Sequence, residues 1–328
     1  MARLLPLLTF ADEIVVVDTG STDNTVKVAE NFTDKVYFYA WCDDFSKARN
    51  YAISKATCEY VMWLDADDIV PPETHNSLLE WKKSSENADV YYMRYNMQSE
   101  FPFWFWRERI VRRCIKCRFK GFIHEAISPF GVVRYLDCEV HHKPTATHEQ
   151  RNLQIYRRAL QERRRFSLRD KFYYARTLVE CNQMQAALPI LRKFVANSAA
   201  SVTDRVDAYK LLANSALSVD DVELALNYLS HSVRLLPPSG EICCLFGQCY
   251  MQRQMYHSAA EWYRFALSSR SRNGFVNEYF NAFLPNVQLS VCLWRLGDKQ
   301  EAKQYHNAAK VICPVHPTVL ANDKWFCD

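Results

Sequence analysis

Glycine is scarce in this chain, with seven among 328 residues. Loops that cradle phosphate with backbone amides need clustered glycines, and neither GxGxxG nor GxxxxGK[ST] occurs anywhere in the sequence. Dinucleotide-binding, ATP-grasping and nucleotidyl-transfer readings lose their support. Long apolar runs are also lacking. The opening MARLLPLLTFADE breaks at Pro6 and ends in acids, too short for a signal core or a membrane span. No sign of charge dominates, since 41 Lys and Arg stand against 37 Asp and Glu. The densest basic group, Arg157, Arg158 and Arg163 to Arg165, reads as a solvated helix face, and no nucleic-acid partner is expected. Twelve cysteines are present but scattered, with no secretory signal before them, so reduced thiols and a cytoplasmic setting are expected.

What is present falls into two halves. Up to about residue 143 strand and helix patterns alternate: strands at 13–17, 35–39 and 60–64, helices at 23–31, capped by Asp23, and at 46–56. That alternation predicts an α/β domain with a mostly parallel sheet and ligands at the carboxyl ends of strands. From about residue 168 small residues recur twelve apart: Ala175 and Ala187, Ala213 and Ala225, Gly247 and Ala259, Ser290 and Ala302. The pattern resembles tetratricopeptide repeats, in which small residues let paired helices approach closely; an irregular helical bundle is the alternative. Expected domains are therefore 1–147 (α/β), 148–167 (a connecting helix without glycine or proline) and 168–328 (helical repeats).

Chemistry concentrates where strands end. Tyr60 to Leu64 runs into Asp65, Asp67 and Asp68, and Asp-x-Asp on a tight turn suits Mg²⁺ or Mn²⁺ completed by phosphates. Taken in order, VVVDTGSTDNT (15–25), WCDDFSKARNYAI (41–53), MWLDADD (62–68), FKGFIHEAISPFG (119–131) and CEVHHK (138–143) resemble family 2 glycosyltransferases with the GT-A fold. More narrowly they are similar to bacterial members with C-terminal tetratricopeptide repeats, among them the S-glycosyltransferases of sublancin-type peptides. The resemblance implies an inverting, metal-dependent hexosyltransferase using a nucleotide-sugar donor, UDP-hexose first, and a peptide, protein or glycan acceptor. It assigns Asp18 to the nucleotide, with Thr19 and Ser21 shaping its loop, and places Arg49 and Asn50 along the sugar-nucleotide cleft. Asp65 and Asp67 become the diphosphate and metal motif, His141 the late metal ligand in preference to His142, and Glu125 the acceptor base. The repeats are expected to select the acceptor or to support a homodimer.

Other readings stay open at this level. Asp18 can serve as a turn residue and Glu125 as a structural ion pair. Cys114, Cys117, Cys138 and His141 have the spacing of a structural zinc site. The aromatic run 101–106 reads as core or as a loop beside the cleft that stacks on sugar or acceptor. Relatives open with a further strand that this sequence lacks. A catalytically degenerate protein that binds partners through its repeats is therefore the alternative to an active enzyme.

Overall fold

The computed structural model describes residues 1–84, 87–114, 116–143, 148–269 and 275–326. The chain divides into two compact units, Met1–Tyr173 and Tyr174–Asp328. The first unit holds β1 (Val16–Asp18), α1 (Thr25–Glu30), β2 (Val36–Phe38), α2 (Phe45–Lys55), β3 (Tyr60–Met62), β4 (Asp68–Ile69), α3 (Pro72–Lys83), β5 (Val90–Asn96), β6 (Phe103–Arg112), β7 (Phe119–Lys120), β8 (Ala126–Ile127), β9 (Val133–His142) and α4 (Glu149–Gln161). Capping is local and legible. Asp44 extends out of helical geometry and accepts from the Lys47 amide at the head of α2, while Asp23 accepts from Thr25 just before α1.

The sheet corrects one expectation. β1 and β2 pair in parallel, but the larger ladder runs β6–β5–β9–β4, with β3 on the other flank of β6. Only β5 and β9 are parallel within it; β3–β6, β5–β6 and β4–β9 are antiparallel. The connection between β5 and β6, residues 97–102, is too short for the crossover that parallel pairing needs. It also decides the aromatic run. Phe103 to Trp106 is strand, not loop, and alternation sends Phe105 into the core with Met93 and Ile110. Trp104 and Trp106 lie on the opposite face, where Trp106 meets Tyr135 at 5.0 Å between ring centroids. Two cores result. Leu4, Leu5, Leu78, Met93 and Val140 pack on one side of the sheet; Trp63, Val90, Val111, Cys117 and Ile127 pack in the other.

The expected boundary at residue 147 lies outside the described residues. Residues 148–167, expected as a connector, contain α4 within the first unit, where buried Tyr156 meets the rings of Phe122 and Phe166 at 5.4 and 5.8 Å.

From α5 (Leu168–Glu180) onward the described residues are mainly helical: α6 (Met184–Val195), α7 (Val202–Leu217), α8 (Val222–Val233), α9 (Gly240–Gln252), α10 (Tyr256–Ser268), then a short strand β10 (Phe275–Asn277), α11 (Leu284–Leu296), α12 (Lys299–Ile312) and α13 (Pro317–Phe326). Every one of the eight small residues spaced twelve apart is buried. A second regularity was not read from the sequence. Seven residues after each first small residue stands a left-handed backbone position: Asn182, Asp220, Gln254 and Gly297. At each, the next amide reaches back five residues: Gln183 to Leu178, Asp221 to Ala216, Met255 to Tyr250 and Asp298 to Leu293, at 2.7 to 3.0 Å. That is a Schellman-type helix end repeated four times, the mark of one hairpin unit used repeatedly rather than an irregular bundle.

Two predictions follow from the packing. A Cβ built on Gly247 would sit 2.5 Å from the buried Tyr263 ring, so Gly247→Ala should cost about 1–3 kcal/mol by overpacking, despite Ala's better helix propensity. Denaturant unfolding that shows an equal or more stable variant would refute the close approach. Glu13 works through its carboxylate. Burial disfavours its charge, yet hydrogen bonds from Lys35, Thr57 and Cys58 outweigh this and hold it down to about 2. Because the folded value lies below the ordinary one of 4.5, the stabilisation is present above 4.5 and is lost as pH falls toward 2. Glu13→Gln should therefore narrow the stability difference between pH 6 and pH 3, measured by urea unfolding at both.

Candidate active site

The acidic turn after β3 is organised by Asp68, the residue to which sequence reasoning gave no role. Its side chain is fully buried, as is that of Arg109 on β6, and the two pair at 3.0 Å. The same Oδ2 accepts the Asp65 amide at 2.9 Å, and Oδ1 accepts the Tyr95 hydroxyl at 2.8 Å with His142 Nδ1 at 3.4 Å. Burial works against charge on Asp68, but His142, Arg109 and the Asp65 amide hold it below the ordinary carboxylate range. Its partner responds in turn. Asp68 raises His142 above the usual histidine value, against desolvation and with help from Asp67.

Strand parity separates the two histidines. β4 and β9 pair Asp68 with His142 and Ile69 with His141, so the two histidines project to opposite faces. His142 Nδ1 lies 3.8 Å from Asp67, whereas His141 Nε2 contacts Glu139 at 2.5 Å. Among the described residues, ligand atoms of Asp67, Asp68 and His142 lie within 4.8 Å of one another. The group thus differs from the expected Asp65, Asp67 and His141. Two carboxylates and an imidazole fit a divalent cation such as Mn²⁺ or Mg²⁺ by donor type. Asp67 and His142 would be the ligands. Asp68, already accepting from Tyr95 at one oxygen and from Arg109 and the Asp65 amide at the other, is the least available of the three.

Asp65 has another partner. Arg49 on α2 donates through Nη2 to Asp65 Oδ1 and through Nε to Glu125 Oε1, both at 2.5 Å. Burial opposes the guanidinium charge, but Asp65 and Glu125 raise its pKa further. Three guanidinium groups surround the Trp63 indole: Arg109 at 4.0 Å, Arg49 at 4.5 Å and Arg107 at 5.1 Å from the ring centroid. Arg107 also donates to the Glu125 carbonyl at 2.8 Å, and Arg169 to the His124 carbonyl at 3.1 Å. His124 itself has φ of +52°, a strained value for a non-glycine residue, and stacks on Tyr173 at 4.3 Å. Glu125 is therefore fixed at both backbone and side chain.

Other expected residues are engaged locally. Asp18, at the end of β1, accepts from the amides of Gly20 and Ser21 at 3.0 and 3.2 Å, closing a turn that carries Thr19 and Ser21 and that Gly20 permits with φ of +110°. Burial disfavours its charge, but these bonds prevail and lower its pKa. Asn50 staples α2 to β7, with its amide paired to both backbone groups of Phe119 at 3.0 and 2.9 Å, and it also lines a cavity with Tyr51, Arg113 and Cys117. The zinc reading does not gather, because Cys117 and Cys138 lie in different cores.

Comparison with known proteins follows the same line. Residues 4–164 match the family model for glycosyl transferase family 2. The chain carries a family 2 glycosyltransferase domain. It is similar to a TPR repeat-containing protein of Synechococcus elongatus, 33% identical over 116 residues, which are 35% of this chain and 29% of that one. It is likewise similar to the SPbeta prophage-derived glycosyltransferase SunS of Bacillus subtilis, 30% identical over 118 residues, 35% of this chain and 28% of SunS. The chain thus spans under a third of the length of these relatives. The crystal structure of YrrB, a TPR protein with an unusual peptide-binding site, aligns over 54% of the chain and 84% of YrrB at 18% identity, with a TM-score of 0.41. Among the described residues no helix is long and apolar enough to cross a membrane.

In the family 2 domain the buried pair makes a sharp prediction. Asp68→Ala leaves Arg109 as an uncompensated buried charge and should cost about 3–5 kcal/mol, measured by chemical denaturation. A loss below about 1 kcal/mol, the value of an exposed pair, would show that water reaches the site.

Proposed function

We propose that this chain moves a hexose from a nucleoside diphosphate, UDP first, to a peptide, protein or glycan acceptor in one inverting displacement. The carrying observation is the Arg49 bridge, because it joins the acidic turn after β3 to Glu125, two motifs 60 residues apart in the sequence. A displacement at an anomeric carbon needs those two functions on either side of one carbon. The acceptor oxygen or sulfur forms a bond to that carbon, the bond to the diphosphate breaks with its electron pair, and Glu125 takes the acceptor's proton. Asp67 and His142 would hold Mn²⁺ or Mg²⁺. When bound, the cation supplies Lewis acidity that stabilises the departing diphosphate. Asp18, Thr19 and Ser21 would shape the nucleotide end. Similarity to SunS, itself a glycosyltransferase, supports the reaction class, and stacked helical hairpins offer the extended face that a macromolecular acceptor needs.

Calorimetric titration with UDP is the test. Binding should require Mn²⁺ or Mg²⁺, and both Asp67→Ala and His142→Ala should abolish that requirement together with affinity, while His141→Ala keeps both. Equal binding in EDTA would overturn the metal assignment, and loss in His141→Ala alone would restore the other histidine. With a donor identified from a UDP-hexose panel, Glu125→Gln should bind it normally yet transfer about a hundredfold more slowly, the lower range for loss of a general base. Unchanged transfer would remove Glu125 from that role.

A further inference from the structure

The Arg49 contacts place a difficulty on Glu125. A carboxylate that shares a guanidinium at 2.5 Å through Oε1, with its side chain only 8% exposed, has that oxygen committed. A proton delivered to Oε1 must first displace the guanidinium. The other end of the same guanidinium meets Asp65, whose side chain is 33% exposed, so the Asp65 end is the one open to an incoming charge. The stack on Trp63 does not forbid movement. Attraction to an indole face depends weakly on rotation or sliding parallel to the ring, so the guanidinium can exchange hydrogen-bond partners without leaving it.

We infer that Arg49 is a positioning residue that latches the two ends of the site together. With no polyphosphate bound it occupies Glu125 and Asp65 at once; a polyphosphate anion arriving beside Asp65 draws the guanidinium over and frees the Glu125 carboxylate to accept a proton. Donor binding thereby precedes activation of the acceptor. The inference rests on the reading of Glu125 as base, and it adds to that reading the order in which the site becomes competent.

Nitrogen-15 NMR of the arginine Nε–H groups reads the latch directly, with inorganic pyrophosphate and Mg²⁺ as the probe. In the free protein the Arg49 Nε–H should be protected from solvent exchange. The signal is identified by its loss in Arg49→Lys and by its shift in Glu125→Gln, either of which suffices. Pyrophosphate should accelerate its exchange by about tenfold or more, the scale set by one hydrogen bond to a charged group. Exchange in the wild type that pyrophosphate leaves unchanged, or an Nε–H unprotected before any addition, overturns the latch. Those outcomes are separate from failure of the proposed function, which is decided by UDP binding and by the transfer rate of Glu125→Gln.

Discussion

The geometry of the acidic turn depends on one buried ion pair. Asp68 and Arg109 are both withdrawn from water, and the cost of burying either alone is several kcal/mol, so each exists there only because of the other. Asp68 meets that cost by accepting from four groups at once: Arg109, the Asp65 amide, Tyr95 and, more loosely, His142. Arg109 lies with its guanidinium 4.0 Å from the Trp63 ring centroid and 4.1 Å from that of Tyr95. Flat aromatic walls suit a guanidinium better than an ammonium, because it is weakly hydrated and stacks. A lysine in its place would lose both the walls and the planar geometry. The turn that presents Asp65 and Asp67 is thereby held from below, by a residue that never reaches solvent.

Charge balance then explains why so many guanidinium groups meet at one indole. Asp65, Asp67, Asp68, Glu108 and Glu125 crowd one region, and carboxylates that close would repel or protonate without countercharge. Arg49, Arg107 and Arg109 supply it, each ranged about Trp63. Asp67 is the carboxylate this arrangement leaves least committed, with 24% of its side chain exposed and only a 3.8 Å contact to His142. Asp65 and Glu125 share Arg49, Glu108 pairs with Arg107 and Asp68 with Arg109, so Asp67 is the one of the five that pairs with none of the three. Strained backbone at His124 belongs to the same economy of position, since the stack on Tyr173 and the bonds from Arg169 and Arg107 over-determine where Glu125 points.

Much of this was legible in the sequence, for identifiable reasons. The early strands and helices follow period and capping, and both signals are local. The Asp65-x-Asp67 motif and Glu125 were visible as residue types, and the eight small positions as a period of twelve. Three features were not legible. That His142 rather than His141 stands beside Asp67 depends on the register of β9 against β4, and a one-residue shift reverses it. The roles of Arg49 and Asn50 depend on neighbours 69 to 76 positions away, which no spacing encodes. The aromatic run stayed open between core and loop because of Pro102, yet the strand begins at Phe103, immediately after it.

The turns of the helical unit show why a repeat can be plain in structure while faint in sequence. A left-handed residue ends the first helix of every hairpin, but its identity varies from Gly297 through Asn182 and Asp220 to Gln254. Glycine adopts that conformation without cost, Asn and Asp with little, and Gln with more. What is constant is the bond it enables, from the following amide to the carbonyl five residues back, present at all four turns. That bond satisfies a helix-end carbonyl and fixes the direction of the second helix, so the small residue twelve positions on falls opposite the first. Selection for the second helix's direction thus tolerates an imperfect residue at the turn, whereas the contact at Gly247 tolerates no side chain at all, because Tyr263 already fills the space.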